Sequence, residues 1–273
     1  MSKIEKKIIN KIHKMMNHHD ILYFDFRYEI EDAINFMIEK IKFDECEYKA
    51  KELRLRIKNH SRRVKNLSDK ICQFIEENSI SSISKYDRYL LEIAALYHDI
   101  GKIYSNENHE LYSVIILDYI LNLDLRYNPN TKLTASGIEK ILMIVKNHTK
   151  KKKNVDTIDI CSKILRDADN LDENCGYPLL QLLTSSIDNE SKKHTLNRQK
   201  YIKSDSILLE KIDPRHMDNV IERLNIPENI YLYKNLLIWA VEEYDMISDL
   251  HRYEYKRNGG IVEDDGYIIR IYK

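Results

Sequence analysis

ELRLRIKNHSRRVKNLSDKICQFIEEN, residues 52–78, sets Leu53, Ile57, His60, Val64, Leu67, Ile71 and Phe74 at alternating spacings of three and four. That spacing is one face of an α-helix laid on an apolar core. His60 falls on the stripe, where water is expected to be excluded. An imidazole in such a place needs a partner.

The same pattern recurs beside every other histidine of the middle of the chain. Leu91, Ala94 and Ala95 lead to His98-Asp99, while Ile138, Ile141, Leu142 and Val145 lead to His148. His109 opens a helix whose inner face continues through Tyr112, Ser113, Ile116, Leu117 and Ile120. One histidine on an apolar face is ordinarily a core residue bonded to a backbone carbonyl. Four of them with a flanking aspartate have the pattern of a metal site built between helices, and so of phosphate or oxygen chemistry at bound metal.

A further carboxylate ligand is expected in Arg166-Asp167-Ala168-Asp169-Asn170-Leu171-Asp172. With Leu165 as the inward reference and about 100° per residue, Asp169 falls roughly 40° away, Asp172 about 20° away on the other side, and Asp167 nearly opposite. Asp169 is therefore the expected ligand and Asp172 a supporting or helix-packing carboxylate. Asp167 is expected to be solvated or bonded to a neighbouring loop.

These segments together resemble the HD superfamily of metal-dependent phosphohydrolases. The resemblance rests on Asn59-His60-Ser61-Arg62-Arg63-Val64, Leu96-Tyr97-His98-Asp99-Ile100-Gly101-Lys102, Ile144-Val145-Lys146-Asn147-His148-Thr149 and Asp167-Ala168-Asp169-Asn170-Leu171-Asp172, and it covers roughly residues 45–190. It implies a ligand set of His60, His98, Asp99, His109, His148 and Asp169, with His109 and His148 in the positions that hold a second ion in dinuclear members. Gly176-Tyr177-Pro178 is similar to the tripeptide of HD-type cyclic-di-GMP phosphodiesterases. Here it follows Asp169 and no His-His-Glu precedes it, so it reads as a helix-ending turn.

Imidazole nitrogen and carboxylate oxygen suit a divalent transition metal, Mn, Fe, Ni, Co or Zn, better than Mg. Such an ion brings the pKa of its water towards about 7 and polarises a phosphoryl oxygen. With two ions roughly 3.5 to 4 Å apart, one carboxylate bridges them and a metal-bound hydroxide attacks in line. Asp99 is the expected bridge, because the His-Asp pair places two adjacent ligands at one helix end. Asp99, Lys102 and Asp169 are the expected catalytic residues. Lys102, one turn along, and Arg63, three residues after His60, are placed to meet substrate phosphate; both also read as ordinary surface charges, Arg63 more readily than Lys102.

Lys and Arg number 44 against 44 Asp and Glu, which excludes a whole-molecule field that would draw the protein to nucleic acid or an anionic membrane. Local basic patches leave nucleic acid open. Cys46, Cys72, Cys161 and Cys175 form no Cys-x-x-Cys, the usage of a reducing, cytoplasmic setting. The most apolar runs, such as 114–117 and 236–241, are too short to span a bilayer.

Only 6 Gly and 4 Pro interrupt the chain, so long helices dominate. Helices are predicted near 3–17, 27–42, 45–78, 87–99, 109–122, 136–148, 157–173, 177–187, 215–224 and 229–250. The expected fold is all-α, an HD-type helical bundle over 45–190 with an N-terminal helical extension (1–44) and a C-terminal helical extension (191–273). Alternation and turn residues at Asn258-Gly259-Gly260 and Asp264-Asp265-Gly266 predict a small closing β-hairpin or meander.

Weaker signals accompany these. Lys150 to Lys153 follow His148-Thr149 and offer either a basic rim for a polyanion or a solvated loop. Tyr97, Tyr104, Tyr112 and Tyr177 lie near the motifs as stacking surfaces for a base or as core residues. His18-His19-Asp20 lacks partner ligands nearby. The expected function is a metal-dependent phosphohydrolase acting on a nucleotide or other small phosphate ester. A di-iron oxygenase on the same scaffold and a nucleotide-binding regulator without turnover are the alternatives that the resemblance carries. Selectivity is expected from the 104–108 and 149–156 loops and the C-terminal region.

Overall fold

Ser84 and Thr134 decide where two of the central helices begin. Each is extended, and each side-chain oxygen accepts a backbone N–H of the first turn, Asp87 N at 3.0 Å and Gly137 N at 3.0 Å. These caps satisfy donors that have no intrahelical partner. They start the helices at Lys85 and Ala135, slightly earlier than periodicity alone predicts.

The computed structural model describes residues 47–103, 106–149, 158–175, 179, 214–240 and 242. Among them there is no strand, and the helices are α1 (Glu47–Glu77), α2 (Lys85–Tyr97), a 3-10 turn (Ile100–Ile103), α3 (His109–Tyr127), α4 (Ala135–Asn147), α5 (Ile160–Asn174) and α6 (Pro214–Arg223). A second 3-10 turn (Pro227–Asn229) leads into helical residues 230–240. The helices predicted for 3–17 and 27–42, most of 177–187 and the closing β-hairpin fall outside the described residues. So do His18-His19-Asp20, Lys150 to Lys153 and the Gly176-Tyr177-Pro178 turn.

Two compact units divide the chain, Met1–Ala168 and Asp169–Lys273, with the division inside the unbroken α5. In the first unit α1 packs on α2, α2 on α4 and α4 on α3, while the Ile100–Ile103 turn contacts both α1 and α3. Val64, Ile71 and Ile75 of α1, Leu90, Leu91, Ala94 and Ala95 of α2, Ile116, Leu117 and Ile120 of α3, and Ile141, Ile144 and Val145 of α4 are almost wholly buried. The predicted stripes hold in part: Ile57, Phe74, Tyr112 and Leu142 are only half-buried, and Ile75 and Ile144 take core positions. Tyr97 is a core residue. The second unit buries Val220, Leu224, Ile226, Tyr233, Leu237 and Ala240, and Asn170 Nδ2 donates to Val220 O at 3.4 Å.

Gly101 sets the distance between the turn and α3. Its amide donates to the buried Ser113 Oγ at 2.8 Å, and a methyl group on it would lie 2.0 Å from His109 O and 2.6 Å from Ser113 N. Only a residue without a side chain allows that approach. Cys72, Cys161 and Cys175 are free and buried, and burial pushes the Cys72 thiol up to about 11 and the Cys161 thiol up to about 12. They are inert packing groups rather than ligands. No helix among the described residues is long and apolar enough to cross a membrane.

Candidate metal centre

His98 and His148 occupy equivalent places, each one residue past the end of a helix, α2 and α4 respectively. A helix leaves its last carbonyls without intrahelical donors. His98 Nδ1 lies 2.9 Å from Ala95 O and His148 Nδ1 lies 2.5 Å from Val145 O, three residues back in each case. A carbonyl only accepts, so each Nδ1 carries a proton, and Nε2 is the nitrogen left to face the centre. His109, at the start of α3, repeats the arrangement, with Nδ1 3.1 Å from Asn106 O. A histidine that ligates metal through Nε2 needs this tautomer and this orienting bond.

All these rings turn towards Asp99, which is 1 % exposed. Its Oδ1 lies 3.2 Å from His109 Nε2 and 3.7 Å from His148 Nε2. Its Oδ2 lies 3.3 Å from His60 Nε2, 3.7 Å from His98 Nε2 and 2.5 Å from Lys102 Nζ. Burial alone would raise the Asp99 pKa, but His98, His109, His148 and Lys102 hold the carboxyl far below its ordinary range. The group is a carboxylate at any physiological pH. For His109, burial lowers the pKa and Asp99 raises it by more, so the net direction is upward.

Three groups each bring one potential ligand atom per residue within 4.8 Å of one another: His60, His98 and Asp99; His98, His148 and Asp169; and Asp99, His109 and His148. The chemistry of these groups fits a divalent ion. His109 Nε2 and His148 Nε2 stand 3.0 Å apart, both beside Asp99 Oδ1, so two imidazole nitrogens and a carboxylate oxygen converge on one space. Such a donor set suits a divalent transition-metal ion.

The sequence pattern pairs His109 with His148, and the structure adds a second association, because His148 also groups with His98 and Asp169. Asp169 and Asp172 are half-buried and buried respectively. Of the two alternatives for Asp167, a solvated side chain is corrected, because the residue is 0 % exposed. Helix α5 has no fully wet side at this level, since Arg166, Asp167, Ala168, Leu171 and Asp172 are all buried, and a helical wheel assumes that one face meets water. Arg63 sits half-buried on α1, three residues beyond His60.

Sequence reasoning did not single out the carbonyls of Ala95, Asn106 and Val145 that orient the rings, nor the hydroxyl of Ser113. A readable signal existed for two of them. A histidine one residue past an apolar helical run is placed to reach its own helix's last free carbonyls.

Among known families, the one described as HD domain matches residues 57–174. No curated protein and no solved structure matches the chain. The matched segment runs from the middle of α1 to the last residue of α5, narrower at both ends than the 45–190 read from the motifs. It contains every His and Asp of the three groups. The clustered His and Asp side chains support a metal-dependent hydrolytic active site, and residues 57–174 of this chain match the HD domain family.

Proposed function

We propose that the protein is a metal-dependent phosphohydrolase that cleaves a phosphoester or phosphoanhydride of a nucleotide or other small phosphate ester. The observation that carries this reading is Asp99, a buried carboxylate with histidine Nε2 atoms on both oxygens and a lysine beside one. In this reading His60, His98, Asp99, His109, His148 and Asp169 hold one or two ions of Mn, Fe, Ni, Co or Zn, with two favoured and Asp99 between them. When bound, such ions lower the pKa of a water molecule and polarise a phosphoryl oxygen.

The chain's own residues do the rest. Carbonyl bonds to Nδ1 fix the rings of His98, His109 and His148 before any ligand arrives, so little reorganisation accompanies binding. Asp99 remains ionised and spreads its charge over both sides of the centre. Lys102 and Arg63 supply positive charge to the phosphate, and Asp169 completes the ligand set from α5. The burial of His98, Asp99 and His148 keeps bulk water from screening these charges.

The test is a screen of Mn-loaded protein against generic phosphoesters and a nucleotide panel, run with and without dioxygen in water labelled with heavy oxygen. Hydrolysis predicts product without dioxygen and one solvent oxygen in the released phosphate. Turnover that strictly requires dioxygen would overturn the proposal in favour of oxygenase chemistry.

A further inference from the structure

Asp99 presents two unlike oxygens. Oδ1 lies 3.2 Å from His109 Nε2 and 3.7 Å from His148 Nε2, whereas Oδ2 lies 3.3 Å from His60 Nε2, 3.7 Å from His98 Nε2 and 2.5 Å from the ammonium of Lys102. The lysine contact is locally built. Lys102 lies three residues after Asp99 in the Ile100–Ile103 turn, where Lys102 N donates to Asp99 O at 2.9 Å. Gly101 fastens the same turn to Ser113. The turn and its tie to α3 thus hold the lysine stem beside the carboxylate.

We propose that Lys102 competes with the metal for Asp99 Oδ2 and thereby makes the two sides of the centre unequal in affinity. This inference rests on the metal reading given above. A divalent ion bonded to Oδ2 at roughly 2.0 to 2.2 Å would stand next to the ammonium, two like charges in a site where Asp99 and His98 are 1 % and 0 % exposed. Repulsion there is far stronger than in water. The side chain of Lys102 is 26 % exposed and has a route to solvent, so the ion displaces it instead of being excluded. Breaking the ion pair penalises the His60, His98 and Asp99 side of the centre more than the His109 and His148 side, because the ammonium stands at Oδ2. The lysine is a built-in weakening element for one ion.

Calorimetric titration with Mn alone tests this on the full chain. Lys102→Leu removes the charge and adds no ligand atom, and it should tighten one binding step about tenfold or more. The gain should persist with His109→Ala as background, because that substitution disables the Oδ1 side only. Lys102→Arg keeps the charge and should stay within about threefold of wild type. Circular dichroism of each variant guards against loss of fold. Unchanged or weaker Mn binding by Lys102→Leu in both backgrounds overturns the proposal and leaves the metal centre standing, as does equal tightening by Lys102→Leu and Lys102→Arg. Failure of the wild-type protein to take up Mn overturns the metal reading and this inference with it.

Discussion

Replacing Gly101 by alanine puts one methyl group where the turn meets α3. The new carbon would lie 2.0 Å from His109 O, 2.6 Å from Ser113 N and 2.8 Å from Tyr112 Cβ. Two of these are backbone atoms and none is the end of a flexible side chain, so the turn and the helix must separate. Reaching ordinary contact at 3.4 Å from His109 O requires about 1.4 Å of movement. Overpacking of this kind costs about 1 to 3 kcal/mol. Loss of the buried Gly101 to Ser113 hydrogen bond adds about 1 to 3 kcal/mol. A total of about 2 to 6 kcal/mol is expected in urea denaturation. Because His109 rides on the first turn of α3, its Nε2 should leave the 3.2 Å contact with Asp99, and misplacement by an ångström is worth about a hundredfold in rate. Gly137→Ala is the control. Its methyl group would meet the Tyr86 hydroxyl at 2.3 Å and Leu90 Cδ2 and Thr134 Oγ1 at 3.2 Å. Tyr86 can swing aside by giving up its bonds to Thr134, and alanine gains about 0.5 to 1 kcal/mol within a helix, so the loss should be smaller than for Gly101→Ala and the Mn stoichiometry unchanged. If Gly101→Ala changed stability by less than about 0.5 kcal/mol and kept its Mn stoichiometry, the close approach would not be what sets His109 beside Asp99.

The carboxylates of α5 should part company: Asp169→Asn is expected to lose metal and at least about a hundredfold in turnover, while Asp167→Asn should keep turnover per folded molecule within about tenfold and lose about 1 to 3 kcal/mol in denaturation, since it is buried. Equal turnover losses would mean that α5 is rotated. His98→Ala should abolish Mn binding with far-UV helicity near wild type, because the apolar stripes carry the fold; full activity in that variant would remove His98 from the site. The hydrogen bond from Lys140 lowers the Asp87 pKa, so the pair's stability is present above the unfolded aspartate value near 3.9 and is lost as pH falls through the lower folded value. Both side chains are about 30 % exposed, so Asp87→Asn should cost no more than about 0.5 kcal/mol at neutral pH and nothing in strong acid or high salt; a gap that widens in acid would contradict this.

Helical periodicity made the described helices legible because each lays one apolar face on the core. Val64 and Ile71 of α1 and Ile141 and Val145 of α4 stand where the spacing of three and four puts them. It also led to His60, His98 and His148, since ligands between helices must ride on those faces. Periodicity gives an angle about one axis and says nothing of what stands opposite. The burial of Asp167 was hidden for that reason, as was the double association of His148 with Asp169 on one side and His109 on the other. Lys102 could be placed one turn from Asp99, but its choice of Oδ2 depends on the 3-10 turn that Gly101 and Ser113 hold in place. Boundaries moved for local reasons, the caps at Ser84 and Thr134 outweighing the first apolar residue.

The most direct measurement is the number of Mn equivalents bound by wild type, His109→Ala and Asp99→Ala under identical conditions. His109 belongs to one ligand group, whereas Asp99 belongs to two and touches the rings of all four histidines. If these residues hold the ions, wild type binds about two equivalents, His109→Ala about one and Asp99→Ala none with micromolar affinity. Retention of the wild-type stoichiometry and affinity by Asp99→Ala would show that the metal, and the hydrolysis assigned to it, reside elsewhere.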